Sequence, residues 1–368
     1  MQIFRVGGCV RDALLGEVRK DGGTPKTDRD WVVVGATPQQ MIDLGFRPVG
    51  KDFPVFLHPE TQEEYALART ERKTRPGYRG FEPHASPDVT LEQDLARRDL
   101  TINAMAIGDD GQLVDPYGGR RDLEAGILRH VSPSFVEDPV RILRLARFAA
   151  RFPEFSVAPE TGELTRTMVA NGEADALVPE RVMQELSRGL MERRPSRMLE
   201  VLERAGVLSR LYGELQDLPD TAAALDRAAA RNLPLPARFA VLATACRSPQ
   251  AADSFLGKVR APQDAAQLAR LLVELRDALD TVTQAEGLVE LLERGDAFRR
   301  PERFELLLQA YEASSKRTAD RFRAVAQAAA AIDAGAVAAE HQDAPAQIPR
   351  AVREARLAAV RRAQERES

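Results

Sequence analysis

The sequence predicts an α+β chain, an α/β head over residues 1–130 followed by an all-helical remainder, and three observations carry that prediction. β-rich runs separated by Gly and Pro turns are confined to the first 130 residues. From Pro139 onward, apolar residues recur at helical spacing with almost no β-branched runs. The 368 residues are 44% hydrophobic and only 5% aromatic, so the cores must rest on Leu, Ala and Val. A chain of this length allows about two to four compact units.

In chain order, strands are expected at Ile3–Val6, Trp31–Val34, Pro54–Leu57, Tyr65–Ala68 and Ala104–Ile107, with a Gly7-Gly8 turn opening a short helix after the first. Asp138 and Pro139 suit the cap and first turn of a helix. Along that helix Arg141, Arg144, Arg147 and Arg151 share one face, while Leu145, Phe148 and Phe152 share another. Further helices fit Pro179–Glu192, Pro195–Ala205, Ala237–Ala245, Gln263–Leu279, Ala285–Arg294, Pro301–Ser314 and Ala319–Ile332. An extended linker, Gln342–Pro349, then leads to a terminal helix, Arg350–Arg366, and residues 350–368 carry six Arg against three Glu.

Charge and cysteine usage exclude several classes. Lys+Arg at 52 against Asp+Glu at 56 gives a formal charge of −4, so any surface for a polyanion must be local. Cys9 and Cys246 match neither a disulfide framework nor a zinc-ligand spacing, which points to a reducing cytoplasm. The N-terminus lacks the basic and apolar regions of a signal peptide, and no stretch reaches the roughly 20 apolar residues of a membrane span. A soluble, cytoplasmic protein without a membrane partner is expected.

The chemistry concentrates in four clusters. In Asp28-Arg29-Asp30-Trp31-Val32-Val33-Val34, strand alternation puts Asp28 and Asp30 on one face and Arg29 on the other. Two adjacent carboxylates call for a cation, and Mg²⁺ suits one or two carboxylates completed by phosphate oxygens. Taken alone, an Asp-x-Asp is more often a polar strand start. Gly7-Gly8-Cys9-Val10-Arg11-Asp12 supplies the context: Gly8 lets backbone approach a triphosphate and Arg11 offers a forked cation. In Arg97-Arg98-Asp99-Leu100-Thr101-Ile102-Asn103, the arginines suit phosphate, while Asp99 and Asn103 suit ribose hydroxyls. Residues 69–79 carry five cations against one acid, which fits a mobile loop near a polyanion.

These motifs, with Asp115-Pro-Tyr-Gly-Gly and Glu137-Asp138-Pro139-x-Arg141-x-x-Arg144-x-x-Arg147-Phe148, occur in an order that resembles the CCA-adding tRNA nucleotidyltransferases of the bacterial and eukaryotic class. The resemblance is dense over residues 1–210 and looser beyond. It implies a polymerase-β-like head with a mixed sheet over 1–130, a helical neck that recognises the base over 131–195, a body over 196–300 and a tRNA-binding tail over 301–368. It implies template-independent addition of C, C and A to tRNA 3′ ends from CTP and ATP, with no obligate protein partner. By position, Asp28 and Asp30 resemble the Mg²⁺ ligands, while Gly8, Arg11 and Arg98 resemble nucleotide contacts. Asp138 and Arg141 resemble the pair that reads the base, with Arg144 and Arg147 extending that face. An Asp and an Arg three residues apart on a helix are indeed neighbours that offer acceptors and donors together. Glu64, in the run Glu64-Tyr-Ala-Leu-Ala, is a candidate third carboxylate facing the site from a neighbouring strand, with a plain surface acid as the default reading.

Two departures stand out. Gly22–Thr27 lengthens the link before the acid pair. Some bacterial members also carry a phosphohydrolase centre built on a His-Asp pair, but the matching run here, 237–247, has none. With only His58, His84, His130 and His341 in the chain, that centre cannot be assembled. The rivals are a poly(A) polymerase of the same superfamily and a non-catalytic RNA-binding protein.

Overall fold

Period-two patterning in the head folds into a sheet of seven strands. The computed structural model describes residues 1–16, 29–49, 55–73 and 81–367. The strands are β1 (Gln2–Val6), β2 (Asp30–Val34), β3 (Arg47–Val49), β4 (Val55–Leu57), β5 (Glu64–Leu67), β8 (Ala106–Gly108) and β9 (Leu113–Val114), in the order β3-β4-β5-β2-β1-β8-β9. All neighbours are antiparallel except β2 and β5, which run parallel, so the sheet is mixed as expected. Helices α1 (Gly8–Leu14), α2 (Pro38–Asp43), α3 (Leu91–Ala96) and α4 (Gly119–Ala125) punctuate the strands. Thr37 and Thr90 cap α2 and α3 with reciprocal Thr–Gln boxes, which satisfy the first orphan amides of these short helices. One sheet face packs Val6, Val32, Ala104 and Ala106 with Leu95. The other packs Val33, Tyr65 and Leu67 with Met41 of α2.

The basic run at 69–79, expected as a loop, is in part a hairpin. Strand β6 (Arg69–Lys73) pairs antiparallel with β7 (Phe81–Ala85), and residues 74–80 lie outside the described residues. The backbone amide of Arg69 donates to Asp94 and its carbonyl accepts from Arg97, so the ribbon is rooted on α3. The expected strand at Ala104–Ile107 begins later. It starts at Ala106, after a 3₁₀ turn over Thr101–Asn103 in which the Asn103 and Ala104 amides donate to the Leu100 and Thr101 carbonyls.

Asp115-Pro-Tyr-Gly-Gly is an architectural motif. The Asp115 carboxylate accepts from the amides of Gly119 and Arg120, and Gly118 takes a left-handed φ of 71°. A Cβ on Gly119 would lie 2.2 Å from the Thr101 carbonyl oxygen. Gly119→Ala is therefore expected to destabilise the protein by about 1–3 kcal/mol through overpacking against fixed backbone, measured by urea unfolding.

After β10 (Ile127–Leu128) comes α5 (Val140–Arg151), the predicted Arg-rich helix, then β11 (Ser156–Val157), which pairs with β10, and α6 (Pro159–Ala170). The remaining helices are α7 (Pro179–Leu190), α8 (Pro195–Arg204), α9 (Val207–Leu211), α10 (Leu218–Ala230), α11 (Leu235–Ala243), α12 (Pro249–Lys258), α13 (Gln263–Thr281), α14 (Ala285–Arg294), α15 (Pro301–Ser315), α16 (Asp320–Ala330), α17 (Ala334–Glu340) and α18 (Ile348–Glu367). Proline stands in the first turn of several of them, where its missing N–H costs nothing. Helices α6, α9, α10, α12 and α17 were not expected. In α10 the buried positions include Ala224 and Ala228, and such Ala-rich runs show little contrast between faces. The expected linker Gln342–Pro349 is not extended: Pro345–Gln347 form a 3₁₀ turn and α18 begins at Ile348.

The chain divides into two units, residues 1–185 with 200–211, and residues 186–199 with 212–368. In the second, α11 is the buried centre, lying against α10, α13 and α15, with Phe239 and Cys246 fully buried. Burial pushes the Cys246 thiol up to about 11, so it stays protonated and inert. Several tail arginines serve this unit. Arg353 pairs with Glu293 and Arg361 with Glu286 of α14, and the Arg356 guanidinium lies 3.7 Å from the centre of the Phe298 ring. Among the described residues, no single helix is long and apolar enough to cross a membrane.

Candidate active site

The site begins where β1 ends and β2 starts. Asp30 is paired across from Val6 on one side and Glu64 on the other, and both acids are exposed. In a parallel pair, residues in register face the same way. Asp30 and Glu64 therefore share one face. Their neighbours confirm the alternation: Trp31 stacks on Tyr65 at 5.3 Å and donates to Glu63 at 3.0 Å, while Arg29 lies 3.9 Å from Glu63, all on the opposite face. Asp28, the other expected ligand, lies outside the described residues.

Immediately after β1, Gly7 adopts φ 74°, and a Cβ there would meet Nη1 of Arg98 at 2.9 Å. The left-handed glycine is thus Gly7, and Gly8 opens α1. Arg98 is held over this turn by Asp94, which is fully buried and also accepts from Arg97. Burial opposes ionisation of Asp94, yet the two arginines hold its carboxyl below the usual range. Nε of Arg98 is buried without a partner, an unfilled donor beside the glycine turn. Gly7→Ala is expected to cost about 1–2 kcal/mol through backbone strain and to push Arg98 off the turn, with the cost read from urea unfolding.

The second group is a buried polar chain that fastens the head to α5. Arg11 is 3% exposed; its Nη1 donates to Asn103 at 2.5 Å, and it pairs with Asp12 at 2.7 Å. Its guanidinium also lies over Phe148 of α5 and Phe152, the residue that ends it. Asn103 donates on to Asp99 at 3.0 Å, and Asp99 accepts from Nε of Arg144 at 2.7 Å. Burial works against the Asp99 carboxylate, but Arg144, Asn103 and the Leu100 amide hold it down at about 2. Arg11, Asp99, Asn103 and Arg144, each expected to meet nucleotide, are thus tied to one another.

The third group lies at the start of α5. Asp138 is extended rather than helical, and its carboxylate accepts from the Val140 amide at 3.0 Å. Arg141 donates to the carbonyls of Ser134 and Arg97, with 2.6 Å to the latter. Arg181 of α7 grips Asp138 at 2.7 and 3.2 Å, and Glu185, one turn on, holds Arg147 at 2.6 Å and lies 4.0 Å from Arg144. Asp94, Arg181 and Glu185 were not singled out from sequence. The i,i+3 and i,i+4 spacing of Asp94 to Arg97 and Arg98 was a usable signal. Nothing local ties α7 to a residue 43 positions earlier.

Among the described residues no three His, Cys, Asp or Glu side chains form a ready metal cluster. The donor set nevertheless fits a hard divalent ion: two in-register carboxylates, beside a glycine turn that carries an unfilled guanidinium donor, leave room for phosphate oxygens to complete the coordination.

A glycine turn after the first strand, an acid on the second with another in register on its parallel neighbour, and a mixed sheet define a nucleotidyltransferase head, and residues 3–129 match the family model described as the poly A polymerase head domain. The chain is 55% identical over 360 residues to a CCA-adding enzyme of Bordetella bronchiseptica, covering 98% of this chain and 96% of that one. It is also 50% identical to a multifunctional CCA protein of Paraburkholderia phymatum, over 99% of this chain and 98% of the relative. A solved CCA-adding enzyme with ATP shares the fold, with a TM-score of 0.71 and 22% identity over 98% of this chain and 86% of that one. The chain belongs to the family of CCA-adding enzymes.

Proposed function

We propose that this protein adds C, C and A to the 3′ end of tRNA without a template: the tRNA 3′-hydroxyl attacks the α-phosphorus of CTP or ATP and pyrophosphate leaves. The observation that carries the reading is near-full-length likeness to CCA-adding enzymes combined with Asp30 and Glu64 in register beside the Gly7 turn. Mg²⁺, held by Asp28 and Asp30 with Glu64 alongside, would offset charge on the triphosphate when bound. Arg98, aimed over Gly7, neutralises phosphate. Asp138 and Arg141 read the base, since C and A both present an exocyclic amine that a carboxylate accepts from and a ring nitrogen that a guanidinium donates to. Positioning and charge stabilisation, rather than covalent chemistry, then carry the rate.

The division into head 1–130, neck 131–195, body 196–300 and tail 301–368 belongs to the same reading, as does a place in the cytoplasm. We also propose that the chain has no phosphohydrolase centre. The multifunctional relative aligns over 415 positions and so carries residues with no counterpart in the 368 here. Segment 237–247 is largely close-packed core, with Arg238 buried and donating to the Leu233 and Leu190 carbonyls.

The decisive experiment supplies tRNA lacking CCA with CTP, ATP and Mg²⁺, then sequences the 3′ end. A defined CCA end is expected. A long run of A on varied RNA ends would make the protein a poly(A) polymerase, and absence of pyrophosphate release would leave an RNA-binding protein.

A further inference from the structure

We propose that Arg181 is a specificity-positioning residue: it sets base choice by holding the carboxylate plane of Asp138. The inference rests on the base-reading role assigned above to Asp138. Both terminal guanidinium nitrogens engage the acid, Nη2 at 2.7 Å to Oδ2 and Nη1 at 3.2 Å to Oδ1. A two-point grip of this kind fixes the plane of a carboxylate as well as its charge. Asp138 needs such a grip. Its backbone is extended, with φ −132° and ψ 104°, so it sits outside the regular geometry of α5. The Val140 amide, bonded to Oδ1 at 3.0 Å, and the two-point contact from Arg181 together orient the carboxylate.

The same helix braces the rest of the recognition face. Glu185 follows Arg181 by four residues, on the same side of α7, and is buried against Arg147 while lying near Arg144. A cation from α7 thus meets the acid before α5, and an anion from α7 meets the arginines along it. This charge order sets the register of α5 against α7. A base edge is read by acceptors and donors at set angles in one plane, so a carboxylate that rotates loses discrimination before it loses charge. Arg181 and Asp138 are both partly solvent-exposed, at 38% and 23%. A pair this open adds little to fold stability.

The test measures kcat/KM for CTP and UTP on tRNA lacking CCA, together with thermal melting and the KM for tRNA, in the full chain. The variants are Arg181→Ala, Arg181→Lys and Asp138→Ala. Arg181→Ala is expected to lower the preference for CTP over UTP by roughly tenfold. Melting and tRNA KM should hardly move, and lysine, which lacks the fork, should not restore the preference. If Asp138→Ala loses the preference while Arg181→Ala keeps it, the role of Arg181 is overturned and the base reading stands. If Asp138→Ala itself keeps the preference, the base reading fails and the inference with it. A fall in melting temperature with all rates lowered and the preference intact would make the pair merely structural. Should Arg181→Ala not fold, Arg181→Lys decides: a reduced preference supports the proposal and a full one overturns it.

Discussion

Asp30→Ala is expected to reduce nucleotide addition by at least two to three orders of magnitude, the scale set by losing several kcal/mol of charge stabilisation in phosphoryl transfer. Folding should survive, because Asp30 stands exposed at the strand start and its removal opens no cavity. Glu64→Ala tests the in-register partner separately: a loss of similar size would place it beside Asp30 in the reaction, and a small loss would make it a surface acid. Steady-state rates with CTP, together with circular dichroism melts, read both effects. Near-normal turnover of Asp30→Ala would remove the metal site from this end of the sheet.

Asp99→Asn is expected to lower stability by about 2 kcal/mol at neutral pH. The Asp99 carboxyl titrates at about 2 in the folded protein against 3.8 as the reference, because Arg144 and Asn103 stabilise its charged form despite burial. A depressed folded value means that the contribution is fully present above about pH 4. It is lost as pH falls toward 2, where the wild-type carboxyl also takes up a proton. The gap between wild type and Asp99→Asn should therefore be constant near neutrality and narrow below pH 4, which urea unfolding across pH measures. A gap that persists unchanged toward pH 2 would show that the side chain acts through shape rather than charge. Alanine at the same position removes the partner of Arg144 as well, so its cost should exceed that of asparagine.

Period-two alternation is a local property, so the sequence alone placed Asp30 on one face of its strand and Arg29 on the other, as the Glu63 and Trp31 contacts bear out. Helical spacing likewise located α5, because Leu145, Phe148 and Phe152 fall on a face that packing must bury. What a side chain's chemistry suits was less informative than where its neighbours lie. Arg11, Asp99 and Asn103 suit phosphate and ribose by residue type. In the fold they bond to each other and, through Asp99, to Arg144, across as many as 92 residues of chain.

By itself the sequence determined the mixed α+β architecture, the order of motifs and the face of the acid on β2, since each follows from spacing within a few residues. Only the tertiary structure decided that Gly7 rather than Gly8 takes the left-handed turn, that Asp94 aims Arg98, and that Arg181 and Glu185 of α7 brace Asp138 and Arg147. The reason is physical. A buried charge must find its counterion in three dimensions, and the partner that satisfies it is chosen by how helices pack, which no local pattern records.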